Sequence, residues 1–155
     1  MPSLLTSKTI VCKYLNYLFR EGGQAHYIRL PLLHLILESR TSAVATDGLV
    51  DTGATTTFIP REIADTIALI PQGSEGERRQ QASGAGGRFP TIPVKLKRLT
   101  LVKNASRFCE FVEVSALVPE EVGRLPYVIL GRDYVFKKFD ITFQENRHKF
   151  IFHRI

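Results

Sequence analysis

Period-two alternation and short apolar runs recur through most of this chain, and that pattern points to sheets before any single residue is weighed. The segments Tyr27 to Glu38, Gly48 to Val50, Thr91 to Leu101, Phe108 to Val114, Tyr127 to Leu130, Phe139 to Phe143 and Lys149 to Phe152 carry the β signature. Only two stretches read as helix. Pro60 to Ala68 has proline at a first-turn position and sets Ile63, Ala64, Ile67 and Ala68 on one face. Tyr134 to Lys137 is the second, with Asp133 expected as its cap. At 155 residues, 44% hydrophobic and 23% charged, the chain has the size and composition of one domain with a real core. The expectation is a mainly β domain with one or two short helices.

Several function classes drop out on composition. The longest apolar stretch, Leu30 to Leu37, is interrupted by Pro31 and His34 and falls far short of the roughly 18 residues of a membrane helix. Lys8 and Lys13 break up the apolar residues near the N-terminus, and no small-residue cleavage site follows, so a soluble, cytoplasmic protein is expected. Cys12 and Cys109 are too few for a disulfide scaffold and are not clustered as metal ligands, which predicts reduced, structural thiols. His26, His34, His148 and His153 show no ligand spacing, so neither metal nor cofactor is expected. The net charge of +6 is scattered among acidic residues with no basic run interleaved with aromatics, and nucleic acid is not the expected partner.

Along the chain, the first 25 residues, with Glu21-Gly22-Gly23 near their end, read as an N-terminal extension of unassigned role ahead of a domain at 26–155. Gln72 to Arg88 holds five of the 11 glycines, at 73, 76, 84, 86 and 87, and is expected to form an exposed loop or hairpin inside that domain.

The segment that carries chemistry is Gly48-Leu49-Val50-Asp51-Thr52-Gly53-Ala54-Thr55-Thr56-Thr57-Phe58-Ile59. It puts a carboxylate directly after a buried-type strand and before a glycine, with another strand expected to follow. The tripeptide Asp51-Thr52-Gly53 alone fits two readings, an Asx turn in which the carboxylate only accepts backbone hydrogen bonds, and an active-site loop. The other aspartates have plain structural readings: Asp47-Gly48 suits a turn, Asp65 lies on the first helix, Asp133 caps the second, and Asp140 alternates on a strand.

In context, an apolar pair, Asp-Thr-Gly-Ala and a threonine-rich strand resemble the active-site loop of the retropepsin-like (retroviral-type) aspartic proteases. Gly84-Ala85-Gly86-Gly87 resembles the glycine-rich tip of that family's flap. Val128-Ile129-Leu130-Gly131-Arg132-Asp133 resembles the segment before its C-terminal helix. The match runs from about residue 27 to 143 in the family's order. The resemblance implies a closed acid-protease fold with one lobe per chain, and aspartic endopeptidase activity on polypeptide without a cofactor. It implies Asp51, Thr52 and Gly53 as the catalytic loop, and Ala54, Thr55, Gly84, Ala85, Gly86 and Gly87 at the substrate. Gly131 and Arg132 would be structural supports, with Arg132 tying the loop to the helix.

Peptide hydrolysis by this route needs two carboxylates that share one proton, one acting as base on a water and the other as acid. The sequence holds a single Asp-Thr-Gly and is too short for two lobes, so a two-fold homodimer bringing Asp51 to Asp51 is expected. Phe150, Phe152 and Ile155 are candidates for that interface, or for plain core strand. Thr55 and Thr56 stand where retroviral enzymes commonly carry acidic residues, so Thr55 offers Arg132 no ion pair. That departure leaves open a second reading, a non-catalytic peptide-binding or dimerisation module of the same fold.

Overall fold

The computed structural model describes residues 5–71, 80–84 and 87–155. Its largest sheet takes β4 (Leu32–Glu38), β5 (Ala43–Val50), β6 (Gln80–Gly84), β7 (Gly87–Lys103) and β9 (Val128–Leu130) in the order β6-β7-β4-β5-β9, with β8 (Ser106–Pro119) paired to β7. A second sheet has the order β1-β11-β10, from β1 (Thr9–Lys13), β10 (Phe139–Gln144) and β11 (Lys149–Arg154). The third is a two-stranded ribbon of β2 (Leu15–Glu21) and β3 (Gln24–Leu30), which among the described residues pair only with each other. The helices α1 (Arg61–Thr66) and α2 (Val135–Lys138) are short. The protein is mainly β, as the patterning predicts.

The core follows from the alternation. Leu33, Leu35 and Leu37 of β4 point inward while His34 is exposed, and in β7 buried Val94 and Leu96 alternate with exposed Lys95 and Lys97. Ala64 and Ile67 close the core from the α1 segment. A cluster of rings, Phe108, Phe139, Phe150 and Phe152, fills the space under the β1-β11-β10 sheet, with centroids 5.1 to 6.0 Å apart. Both thiols are free and buried, as expected of structural cysteines. Among the described residues no helix is long and apolar enough to cross a membrane.

Some expectations change against this frame. The run from Tyr27 to Glu38 is two strands, β3 and β4, divided at Pro31, which has no N–H to give a ladder; its carbonyl instead accepts the Val50 N–H at 3.1 Å. Asp47-Gly48 is not a turn but lies within β5, with Asp47 opposite His34 and their side chains 2.7 Å apart. Gly48 is there for packing, since a Cβ on it would stand 2.5 Å from Leu35 Cδ1. The strand expected after Asp51-Thr52-Gly53 reduces to isolated bridges at Phe58. Phe150 and Phe152 are core residues rather than interface residues, because β11 is the central strand of its sheet and has a neighbour from its own chain on each side. Ile155 is exposed.

Near the N-terminus, residues 9–13 pair with 149–153, and Ile10, Cys12 and Tyr14 join the core. The expected boundary at residue 25 falls inside the β2–β3 ribbon.

Candidate active site

The site is built around β9. Val50 ends β5 in parallel register with Leu130, and the Asp51 N–H donates to the Leu130 carbonyl at 3.0 Å. The chain then leaves the sheet, loops through residues 51–57 and returns on the opposite side of β9. There the Phe58 and Ile129 main chains exchange two hydrogen bonds, each 2.9 Å. A three-residue strand is thus gripped on both edges by the two limbs of one loop.

Further contacts fix the loop where it crosses the chain leaving β9. The Arg132 N–H donates to the Ala54 carbonyl at 2.9 Å, and the Leu117 N–H donates to the Thr57 carbonyl at 3.0 Å. The Asp133 carboxylate accepts the Thr57 N–H at 3.0 Å and its hydroxyl at 2.8 Å. Asp133 is therefore not the cap of α2, whose N-cap residue is Tyr134 with no side-chain cap bond; Thr57, buried and across the loop, competes for it and supplies two donors. Gly131 lies against the Thr56 main chain so closely that a Cβ would come within 2.5 Å of its carbonyl oxygen and 2.7 Å of its nitrogen. The tie expected of the Arg132 side chain is made by its main chain and by Gly131 and Asp133, while the guanidinium is exposed.

Within this frame Asp51 is half-buried, and its Oδ1 accepts the Gly53 N–H at 2.8 Å. The Asx turn and the presented carboxylate are one arrangement, since the bond to one oxygen sets the rotamer and, among the described residues, Oδ2 has no protein hydrogen-bond partner. Thr52, Gly53 and Thr55 are exposed beside it, and Ala54 is half-buried.

The β6–β7 hairpin pairs Gly84 with Gly87, the latter at φ +89°, where a side chain would be strained. Ala85 and Gly86, also expected at the substrate, lie outside the described residues, as do residues 72–79 of the glycine-rich segment. Next to the turn, Phe89 packs on Phe58 with centroids 6.2 Å apart and carries the Arg124 guanidinium over its face at 4.5 Å. The same hairpin holds the chain after β8, where the Glu120 N–H donates to the Pro90 carbonyl at 3.1 Å. From α1, Glu62 accepts the Gly123 N–H and Arg61 donates to the Glu120 carbonyl at 3.1 Å. Hairpin, aspartate loop and the segment entering β9 thus form one connected wall.

Sequence reasoning missed Tyr127 and Tyr17. Tyr127 enters β9 next to the aspartate loop, and its phenol is pushed up first by burial, then by Tyr17 and by the charge of Asp51. Tyr17 meets it edge-on, 5.3 Å between centroids. No local pattern marks the pair, which is 110 positions apart in the chain. Among the described residues no group of His, Cys, Asp and Glu could hold a metal ion.

A closed, mostly β lobe with one aspartate turn wrapped around a short strand has the retropepsin-like fold, one lobe per chain. The family model described as aspartyl protease matches residues 41–134, and the chain belongs to that family. A retropepsin-like aspartic protease from Rickettsia conorii is similar in structure, at 16% identity over 94% of this chain and 93% of that one, with a TM-score of 0.55. EIAV protease is similar at 19% identity over 70% of this chain and 86% of that one, TM-score 0.45. The retroviral protease-like domain of Ddi1 from Leishmania major is similar at 10% identity over 76% and 82%, TM-score 0.43. No curated protein matches the chain in sequence.

Proposed function

We propose that the chain is an aspartic endopeptidase that works as a homodimer, with Asp51 of each protomer supplying one carboxylate of a shared pair. The observation that carries this reading is the Asp51 turn: one carboxylate oxygen is held by the Gly53 N–H while the other has no protein partner among the described residues, at a loop locked on both sides of β9. Two such loops meeting on a two-fold axis put like charges side by side, where they cannot easily both ionise and so retain one proton between them. The ionised carboxylate takes a proton from a water as its oxygen bonds to the peptide carbonyl carbon, and the protonated one gives its proton to the carbonyl oxygen. Collapse of the tetrahedral intermediate breaks the C–N bond, and a proton from the pair leaves on the amine.

In this reading Thr52 locks the two loops across the axis, and Gly53 lets the backbone approach the substrate closely. Ala54, Thr55 and the tip of the β6–β7 hairpin, from Gly84 to Gly87, bind the substrate backbone, and the hairpin acts as a flap that opens for substrate and then excludes water. Gly131 and Arg132 support the loop from behind. The test is Asp51→Asn assayed against a peptide library: the variant keeps its fold and its dimer but cuts nothing. Cleavage at the wild-type rate removes the proposal. Specific activity of the wild type is also expected to fall on dilution as protomers separate.

A further inference from the structure

The β2–β3 ribbon is an anomaly in an otherwise well-covered fold. A lone two-stranded hairpin is marginal in water, yet among the described residues this one pairs with no other strand. Its register sorts the side chains cleanly. Leu15, Tyr17 and Phe19 share one face with Leu30, Ile28 and His26, and this face leans on the body through Tyr17 against Tyr127. The other face presents Leu18 directly opposite Tyr27, 44% and 72% exposed, between Arg29 on one side and Arg20 on the other. An exposed tyrosine and leucine framed by arginines has the make-up of the centre of a protein contact, where tyrosine and arginine are enriched.

The place of the ribbon says what covers that face. Tyr17 stands on Tyr127, the residue that leads into β9, and the Leu130 carbonyl of β9 accepts the Asp51 N–H at 3.0 Å, so the ribbon stands at the strand that holds the aspartate loop. That loop is incomplete alone, having one carboxylate where hydrolysis needs two. A second copy brought to Asp51 arrives next to the ribbon, whose inner face is held to its own body at Tyr17 while leaving Ile28 41% exposed, and whose outer face reaches back to the body through Arg29 on His148 while leaving Leu18 and Tyr27 exposed. We propose that the β2–β3 ribbon is a dimer arm, its Leu18–Tyr27 face lying on a second copy of this chain beside the paired Asp51 loops. The inference rests on the dimeric reading above and extends the contact from the loop at the axis to a ribbon outside it.

The experiment compares the wild type with the double variant Leu18→Thr, Tyr27→Thr, since threonine keeps strand propensity while removing the apolar surface. Sedimentation equilibrium is expected to show the dimer dissociation constant raised at least about tenfold, with activity per dimer retained at saturating protein concentration. An unchanged dissociation constant in a variant of native circular dichroism overturns the arm while leaving the dimeric protease standing. A raised KM with unchanged dissociation also overturns it, assigning the face to substrate. A wild type that is monomeric at every concentration overturns both readings. Should the double variant fold poorly, a photoreactive benzoylphenylalanine at position 27 decides: cross-linking between two chains is expected, and an adduct confined to one chain, or none, overturns the arm.

Discussion

Gly131→Ala isolates one contact on which the placement of the aspartate loop depends. The added methyl stands 2.5 Å from the Thr56 carbonyl oxygen and 2.7 Å from the Thr56 carbon and nitrogen. Ordinary contact between such atoms is about 3.5 Å, so one limb must retreat by about 1 Å. Neither limb is free to do so. Phe58 is bridged to Ile129, Arg132 to Ala54 and Asp133 to Thr57, and all three ties lie within three residues of the overlap. Because the obstacle is backbone rather than a flexible side chain, the cost belongs at the upper end for overpacking, about 3 kcal/mol. For a domain of this size that corresponds to a loss of roughly 6 to 12 °C in Tm. A displacement of about 1 Å carried along the loop to Asp51 is expected to lower kcat by about 100-fold under the proposed function. Differential scanning calorimetry reads the first effect and peptide cleavage the second. A variant melting within about 2 °C of wild type would refute the crossing of the Gly131 and Thr56 main chains as a constraint.

Thr57→Val removes the hydroxyl that donates to Asp133 but leaves the main-chain N–H in place, and is expected to cost about 1.5 to 3 kcal/mol in urea unfolding, as for a hydrogen bond to a charged group. Tyr14 donates to Glu145 at 3.0 Å, and burial, with that bond and the Glu145 charge, pushes its phenol up to about 12. The folded state then holds this proton more tightly than the unfolded chain, where tyrosine ionises near about 10, so the contribution is intact below about pH 10 and is lost as pH rises towards 12. Unfolding midpoints from pH 9 to 12, with Tyr14→Phe showing a shallower decline, check it. Burial pushes the Cys12 thiol up to about 11 and raises Cys109 as well, so neither is expected to react with a disulfide reagent at about pH 8 until the protein is denatured.

What the sequence made legible was local. The aspartate turn and most strands are written in neighbouring residues, because period-two burial and an aspartate bonded to the N–H two residues on leave marks within a few positions. Partners were not legible. Asp133 reads as a helix cap because that is what an aspartate before a helix usually does, and only the fold reveals that Thr57, 76 positions away, offers it two donors. Asp47-Gly48 carries turn residues, yet Gly48 sits in a strand where a Cβ would press on Leu35 of the adjoining strand. Phe150 and Phe152 suit core and interface equally until β1 is seen to occupy the far side of β11. The Tyr17–Tyr127 contact had no signal at all, since it depends on where a whole ribbon is carried.

The grip of one loop on both edges of β9 also has a meaning in time. Asp51 is made first, and the groups that fix its loop from the β9 side, Ile129, Leu130, Gly131, Arg132 and Asp133, are made about 80 residues later. At roughly 5 to 20 residues per second the aspartate waits about 4 to 16 s on the ribosome for its clamp. Closure of β1 onto β11 waits longer still. A nascent chain therefore carries its carboxylate in an unformed turn until the scaffold is nearly complete. Under the proposed function, the order of synthesis itself keeps a half-built active site from acting on the polypeptide emerging beside it.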